Sequence, residues 1–150
     1  MQQENTQLAR KRILQYLIWF HFAINVLHTV THIGAGVMHI PLFQTVYAVG
    51  VIMLAPFIAL IWLPRSLRQA AGILVCILIA SFIFGFLNHL LLPGADLVSS
   101  VTGMWALPFQ LSAYLVLLTE IAGIGLCFWI IIVSRPNQLR SSAPGRKKQA

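Results

Sequence analysis

Apolar residues fill four long stretches of this chain, separated by turn or charge signals. The first runs from about residue 13 to 38 and stops before His39-Ile40-Pro41. The second covers about 42–63 and is closed by Pro64-Arg65. The third spans about 70–92 and ends at Pro93-Gly94, and the fourth runs from Pro108 to Val133, before Ser134-Arg135-Pro136. Each is long enough to cross a ~30 Å hydrocarbon layer, which takes about 20 helical residues. In lipid the backbone must satisfy its own hydrogen bonds, so a helix is the default for such a run. The stretches lack the alternation of barrel strands and are far too long for them. The pattern predicts an all-α membrane protein, a bundle of four transmembrane helices. Pro56 is expected to kink the second of them.

Composition agrees with lipid as the main solvent. Apolar residues make up 59% of the 150 and charged residues 9%, whereas a soluble domain carries about a quarter charged. Ten Lys and Arg face three acids, for a net charge of +7. These bases flank the apolar runs and do not interleave with aromatics. Anionic headgroups of the bilayer are therefore the expected partner, and nucleic acid is not. Cys76 and Cys127 fall inside apolar runs without CxxC or zinc-like spacing, and are expected as small buried residues.

The bases also give an orientation. Arg10, Lys11 and Arg12 precede the first run, Arg65 and Arg68 lie between the second and third, and five more follow the fourth. The connections near 39–42 and 93–107 contain no Lys or Arg. The positive-inside rule then predicts both termini in the cytoplasm, in a multi-pass protein of the plasma (inner) membrane. Residues 1–12 read as a basic cytoplasmic N-terminus and 134–150 as a basic, disordered tail on the membrane surface. The first run is too long for a signal peptide and reads as a retained anchor.

Chemistry is concentrated on the first helix. His21, His28, His32 and His39 are spaced seven, four and seven residues apart. At about 100° per residue they project within roughly 20° of one line, with Asn25 close to it. This polar stripe runs between lipid-like positions such as Trp19, Phe20, Ile24 and Val30, and is expected to face an interior. His28 and His32 form an HxxxH pair, but Thr29, Val30 and Thr31 stand between them and exclude an HExxH protease motif. Below His21 the stripe turns apolar at Ile18, Leu17 and Leu14.

The other helices offer partners. Glu120 is the one acid inside an apolar run, where a charge costs about 2.5–3.5 kcal/mol and such residues usually face inward. Ala113, Glu120, Gly123 and Cys127 form a small and polar face on the fourth helix. Ser81, Gly85, Asn88 and His89 form another on the third. Counting depth from the helix ends suggests an outer tier of His32 or His39 with His89 and Asp96, and a middle tier of His28 or His32 with Glu120. A single buried His more often bonds a neighbouring helix, Asp96 can equally shape its turn, and Trp residues near helix ends suit an aromatic belt. The four histidines as a set point to function.

The first functional expectation is a transition-metal or haem site serving redox chemistry or metal handling. His28, His32 and His89 are its cofactor-binding candidates, with His39, Glu120 and Asp96 as additional metal ligands. Imidazole suits copper, zinc or iron, and a b-type haem would need two histidines on facing helices. The motifs of bis-histidine b-type cytochromes do not register on the chain residue by residue, so family membership is not read from it. The second expectation is an accessory subunit of a larger membrane complex, or a homo-oligomer, with structural histidines. The third is a proton or small-cation pathway. Whether the chain is an enzyme stays open at this point.

Overall fold

The computed structural model describes residues 2–37 and 41–134. His39 and the tail from Arg135 onward, both named above, lie outside the described residues. Among the described residues, four helices are long and apolar enough to cross a membrane: α1, Gln2–Ala35; α2, Leu42–Trp62; α3, Leu67–Leu91; and α4, Gly103–Val133. Their ends fall within a few residues of the apolar runs, except that α1 begins well before its run. Gln, Glu, Leu, Ala, Arg and Lys, all good helix formers, continue the helix through the basic segment to Gln2.

The helix ends follow from local sequence. Gly36 terminates α1 at φ 70°, a conformation that suits glycine, while Val37 N–H bonds the His32 carbonyl and Gly36 N–H that of Ile33, each at 3.1 Å. This is a Schellman closure, and it places His32 in the last turn of α1. Ser66 caps α3 by accepting from Gln69 N–H at 3.2 Å. The last carbonyls of α4 meet Arg10, whose Nη1 lies 3.5 Å from the Val133 oxygen while its guanidinium stacks on Trp129.

Two helices depart from α geometry. In α2 a π segment, Ala48–Leu54, precedes Pro56, so the expected disturbance is a widening of the helix on the N-terminal side of the proline. In α3 the last turn, Leu87–Leu91, is π, and Leu92 N–H closes it on the Leu87 carbonyl at 2.7 Å. Both segments lie in the half of the bundle nearer the 38–41 and 92–102 connections, here called the loop end. The other, here called the terminal end, carries the start of α1 and the end of α4.

Packing is most extensive between α3 and α4, then between α1 and α4 and between α2 and α3, whereas α1 and α2 touch little. At the terminal end a dry core brings together Leu14, Ile18, Leu63, Leu74, Leu78 and Ile130, with Ala59, Ala70, Ala71 and Cys127 as the small partners. Gly123 lets the helices close there: a Cβ on it would stand 2.7 Å from Leu78 Cδ1 and 3.3 Å from Leu17. Cys127 is buried as expected, but Cys76 is exposed on the helix surface. A second cluster, Val37, Val98, Val101, Phe109 and Ala113, seats the 92–102 connection on the loop end. Trp105 lies flat against Gly34, where no side chain would fit.

Candidate metal centre

The polar stripe of α1 faces inward. His21, Asn25, His28 and Thr31 are buried, while Phe20, Leu27 and Val30 on the other side are exposed. At its deeper end His21 Nε2 lies 3.2 Å from the Ile52 carbonyl. Pro56, four residues after Ile52, has no N–H to offer that oxygen in α-helical register, so the imidazole N–H meets an acceptor the proline leaves available. Asn25 closes back on the His21 carbonyl at 2.9 Å.

One turn further, three histidines converge. His28 Nε2 stands 3.1 Å from His89 Nε2 and 3.0 Å from His32 Nε2. His28, His32 and His89 can each offer a ring nitrogen to one ion, these nitrogens lying within 4.8 Å of one another. Phe109 packs against all three rings and forms the floor on the α4 side.

The outward-facing nitrogens decide what the inner ones can do. His89 Nδ1 lies 2.9 Å from the Asp96 backbone oxygen, which can only accept, so Nδ1 carries the proton. His28 Nδ1 lies 2.9 Å from Ser112 Oγ. The single Ser112 proton has the Phe109 carbonyl or Thr31 Oγ1 to go to, both at 2.9 Å, and Thr31 gives its own proton to the His28 carbonyl. This arrangement lets Ser112 accept from His28 Nδ1–H. His32 Nδ1 faces Asp96 Oδ1 at 3.5 Å, an electrostatic contact longer than a hydrogen bond. Burial pushes the Asp96 carboxyl above the usual carboxylate range, with His89 drawing it back.

In neutral imidazoles with Nδ1–H, each Nε2 is a bare lone pair. With Nδ1 protonated on both, the Nε2 lone pairs of His28 and His89, 3.1 Å apart, repel one another unless a cation lies between them. Histidine metal ligands almost always donate their other N–H to a second partner, often a carbonyl or carboxylate; here His89 meets a carbonyl, His28 a hydroxyl, and His32 faces a carboxylate at 3.5 Å. Nitrogens at ~2.05 Å from a tetrahedral ion would be about 3.3 Å apart, close to the His28–His89 and His28–His32 separations.

Glu120 is placed differently from the expected middle tier. It is 0% exposed, and one carboxylate oxygen accepts from Ser81 Oγ on α3. Its other oxygen, Oε2, has no hydrogen-bond partner among the described residues. The histidines and Glu120 are instead joined by a cavity of about 130 Å³ between the four helices. Apolar side chains, among them Ile52, Met53, Phe84 and Val116, make up most of its wall.

No known family model, curated protein or solved structure matches this chain.

The function therefore has to be read from the site. The stripe, the triad members and an outer tier of His32, His89 and Asp96 were visible in the sequence, but the place of His28 in that tier and the separation of Glu120 from the histidines were not. Depth counting put His89 level with the segment between His32 and His39, whereas it meets His28 directly. The count assumed that helix ends share one level. Here α3 ends beneath a folded connection, with Val98 N–H on the His89 carbonyl at 2.9 Å. Sequence reasoning also missed Ser112 and Thr31, whose only signal was their lying on the faces of α4 and α1 that carry Glu120 and the histidines.

Proposed function

We propose that this chain is a membrane-embedded metal-binding protein in which His28, His32 and His89 hold one divalent transition ion. The supporting observation is the clustering of three histidine ring nitrogens, with the Nδ1 atoms of His28 and His89 held by Ser112 and the Asp96 backbone oxygen. Three neutral imidazoles favour zinc or copper among available ions, and a three-nitrogen tripod with a cavity beside it suits zinc with a fourth position open. Open three-histidine sites bind water or an exchangeable ligand, whereas closed structural sites use four protein ligands. Asp96 serves as a positioning residue through His32 and His89.

The geometry favours a bare ion over haem. A bis-histidine haem needs its imidazoles on opposite sides of a porphyrin, and His28 and His89 nitrogens stand 3.1 Å apart. The dry core at the terminal end favours a dead-end site over a proton or cation pathway, because Leu14, Ile18, Leu74 and Leu78 are 0% exposed beneath His21. The reading goes with both termini in the cytoplasm and the site in the outer half of the plasma membrane, with the basic residues against anionic headgroups. Reporter fusions after Ser134 and within 93–102 should report opposite sides.

Elemental analysis of the protein purified in mild detergent tests the main reading. About one zinc or copper per chain is expected, lost on His28→Ala or His89→Ala. A protein that takes up neither metal nor iron on addition would sink the proposal, and a Soret band would replace the ion with haem.

A further inference from the structure

The cavity beside the triad is chemically two-ended. At one end stand His28, His32 and His89; lower down, Glu120 Oε2 is buried without a partner while its sister oxygen is held by Ser81. A carboxyl oxygen with nothing to bond, in a residue wholly withdrawn from solvent, costs free energy that a ligand can return. Between and around these groups the wall is hydrocarbon.

The cavity also has a direction. Below, the dry core closes it. Above, the connection carrying Asp96 and Val98 lies over His89. Sideways, α1 and α2 pack little against each other. Val49, which lines the cavity from α2, is 46% exposed on the lipid-facing surface, and Thr29 across the gap on α1 is partly exposed. The side between α1 and α2 is thus the way in, and it opens onto lipid. Its volume of about 130 Å³ is close to that of an engineered apolar cavity (~150 Å³) that takes one benzene ring. It holds a head group and a few carbons, not a whole lipid.

We propose that this cavity binds a membrane-dissolved, hydroxyl-bearing amphiphile. Its hydroxyl group sits among Glu120 Oε2 and the histidine end, and its chain leaves between α1 and α2 past Val49. A hydroxyl both donates and accepts, so it satisfies Glu120 whether the carboxyl is ionised or protonated. The inference rests on the metal reading only in taking the histidine end as ligand-facing; the Glu120 end and the apolar wall stand without it.

The test uses the full chain in lipid nanodiscs and a hexadecanol probe carrying a photoreactive diazirine near its hydroxyl. Crosslinks are mapped by mass spectrometry, and metal content is measured on the same sample. Labelling is expected at Val49, Met53, Phe84 or Val116, competed by hexadecanol and not by hexadecane. Ala48→Phe, which fills the cavity from α2, and Glu120→Ala, which removes the hydroxyl's partner, should each lower it at least tenfold. Both variants must run as monodisperse species. Ala48→Phe carries the test if Glu120→Ala fails to fold. Labelling spread evenly over lipid-facing positions such as Ile61 and Leu118, or unchanged by Ala48→Phe, overturns the proposal even if metal is bound. Cavity labelling in a protein without metal upholds it and overturns the metal reading alone.

Discussion

The two ends of this bundle solve the same packing problem with opposite chemistry. At the terminal end Leu14, Ile18, Leu74, Leu78 and Ile130 interdigitate with alanines and Gly123 on unbroken α-helices. At the loop end the helices carry histidines, Asn25, Ser81, Ser112 and Glu120 inward, two of the four contain π segments, and a cavity remains. Lipid chains are as apolar as leucine, so the terminal end gains from close fit and not from escape from water. Polar groups at the loop end depend on the protein for partners, and the π segment of α2 supplies one, the Ile52 carbonyl that meets His21. Stability belongs mainly to one end and chemistry to the other.

The comparison breaks most readily at the triad. His89→Ala is expected to weaken metal binding by at least ~100-fold, beyond the 10–100-fold typical of residues that only orient ligands. Thermal unfolding of the metal-free protein should shift little, because the ring's loss relieves lone-pair crowding. A large loss of metal-free stability in nanodisc melts would show that the triad is structural glue.

The reciprocal substitution belongs to the other end. Leu78→Ala removes a fully buried side chain that touches Gly123. With no transfer from water to lose, the cavity term is what remains, and about 1–3 kcal/mol is expected. Metal affinity should stay within about twofold. Titration showing a tenfold loss would mean that the two ends are coupled through α3.

How much of this was open to reading follows the same division. Apolar runs and basic flanks located all four helices, because length and charge are properties of the sequence itself. The stripe on α1 was legible since His21, His28 and His32 share one helix, and its inward face is now visible in the burial of His21 and His28. The meeting of His28 with His89 depended on a π turn and on a connection that folds over α3, and neither has a periodic signature. Glu120 was correctly expected to face inward, yet its bond to Ser81 depends on how α3 and α4 sit against each other.

A subtler division lies within the loop end, between residues that would hold an ion and residues that would aim them. Ser112→Ala removes the acceptor for His28 Nδ1–H, and Asp96→Asn changes the carboxylate facing His32 while sparing the backbone oxygen that holds His89. Each is expected to cost roughly 10-fold or more in metal affinity, without abolishing binding. Competition with a chelator of known strength measures it. An unchanged affinity in both variants would mean that the ligands are held by ring packing on Phe109 instead.

The smallest expected effect asks whether the π segment of α2 is imposed by the site or by the proline. Pro56→Ala restores an N–H that can bond the Ile52 carbonyl, the same oxygen that meets His21 Nε2. If Pro56 holds the π segment open, the segment Ala48–Leu54 relaxes towards α geometry and turns its cavity-lining residues. His21 then loses its acceptor, and metal affinity falls a few-fold. The helix itself gains, since proline inside a helix costs about 3 kcal/mol when its missing bond is not otherwise compensated. The observed gain should be well below that, because His21 already meets the carbonyl. A melt raised by a few degrees with weakened metal binding would show the loop end trading helix regularity for its site. A melt raised by the full amount with metal binding intact would make the π segment a consequence of the proline, with no part in the chemistry.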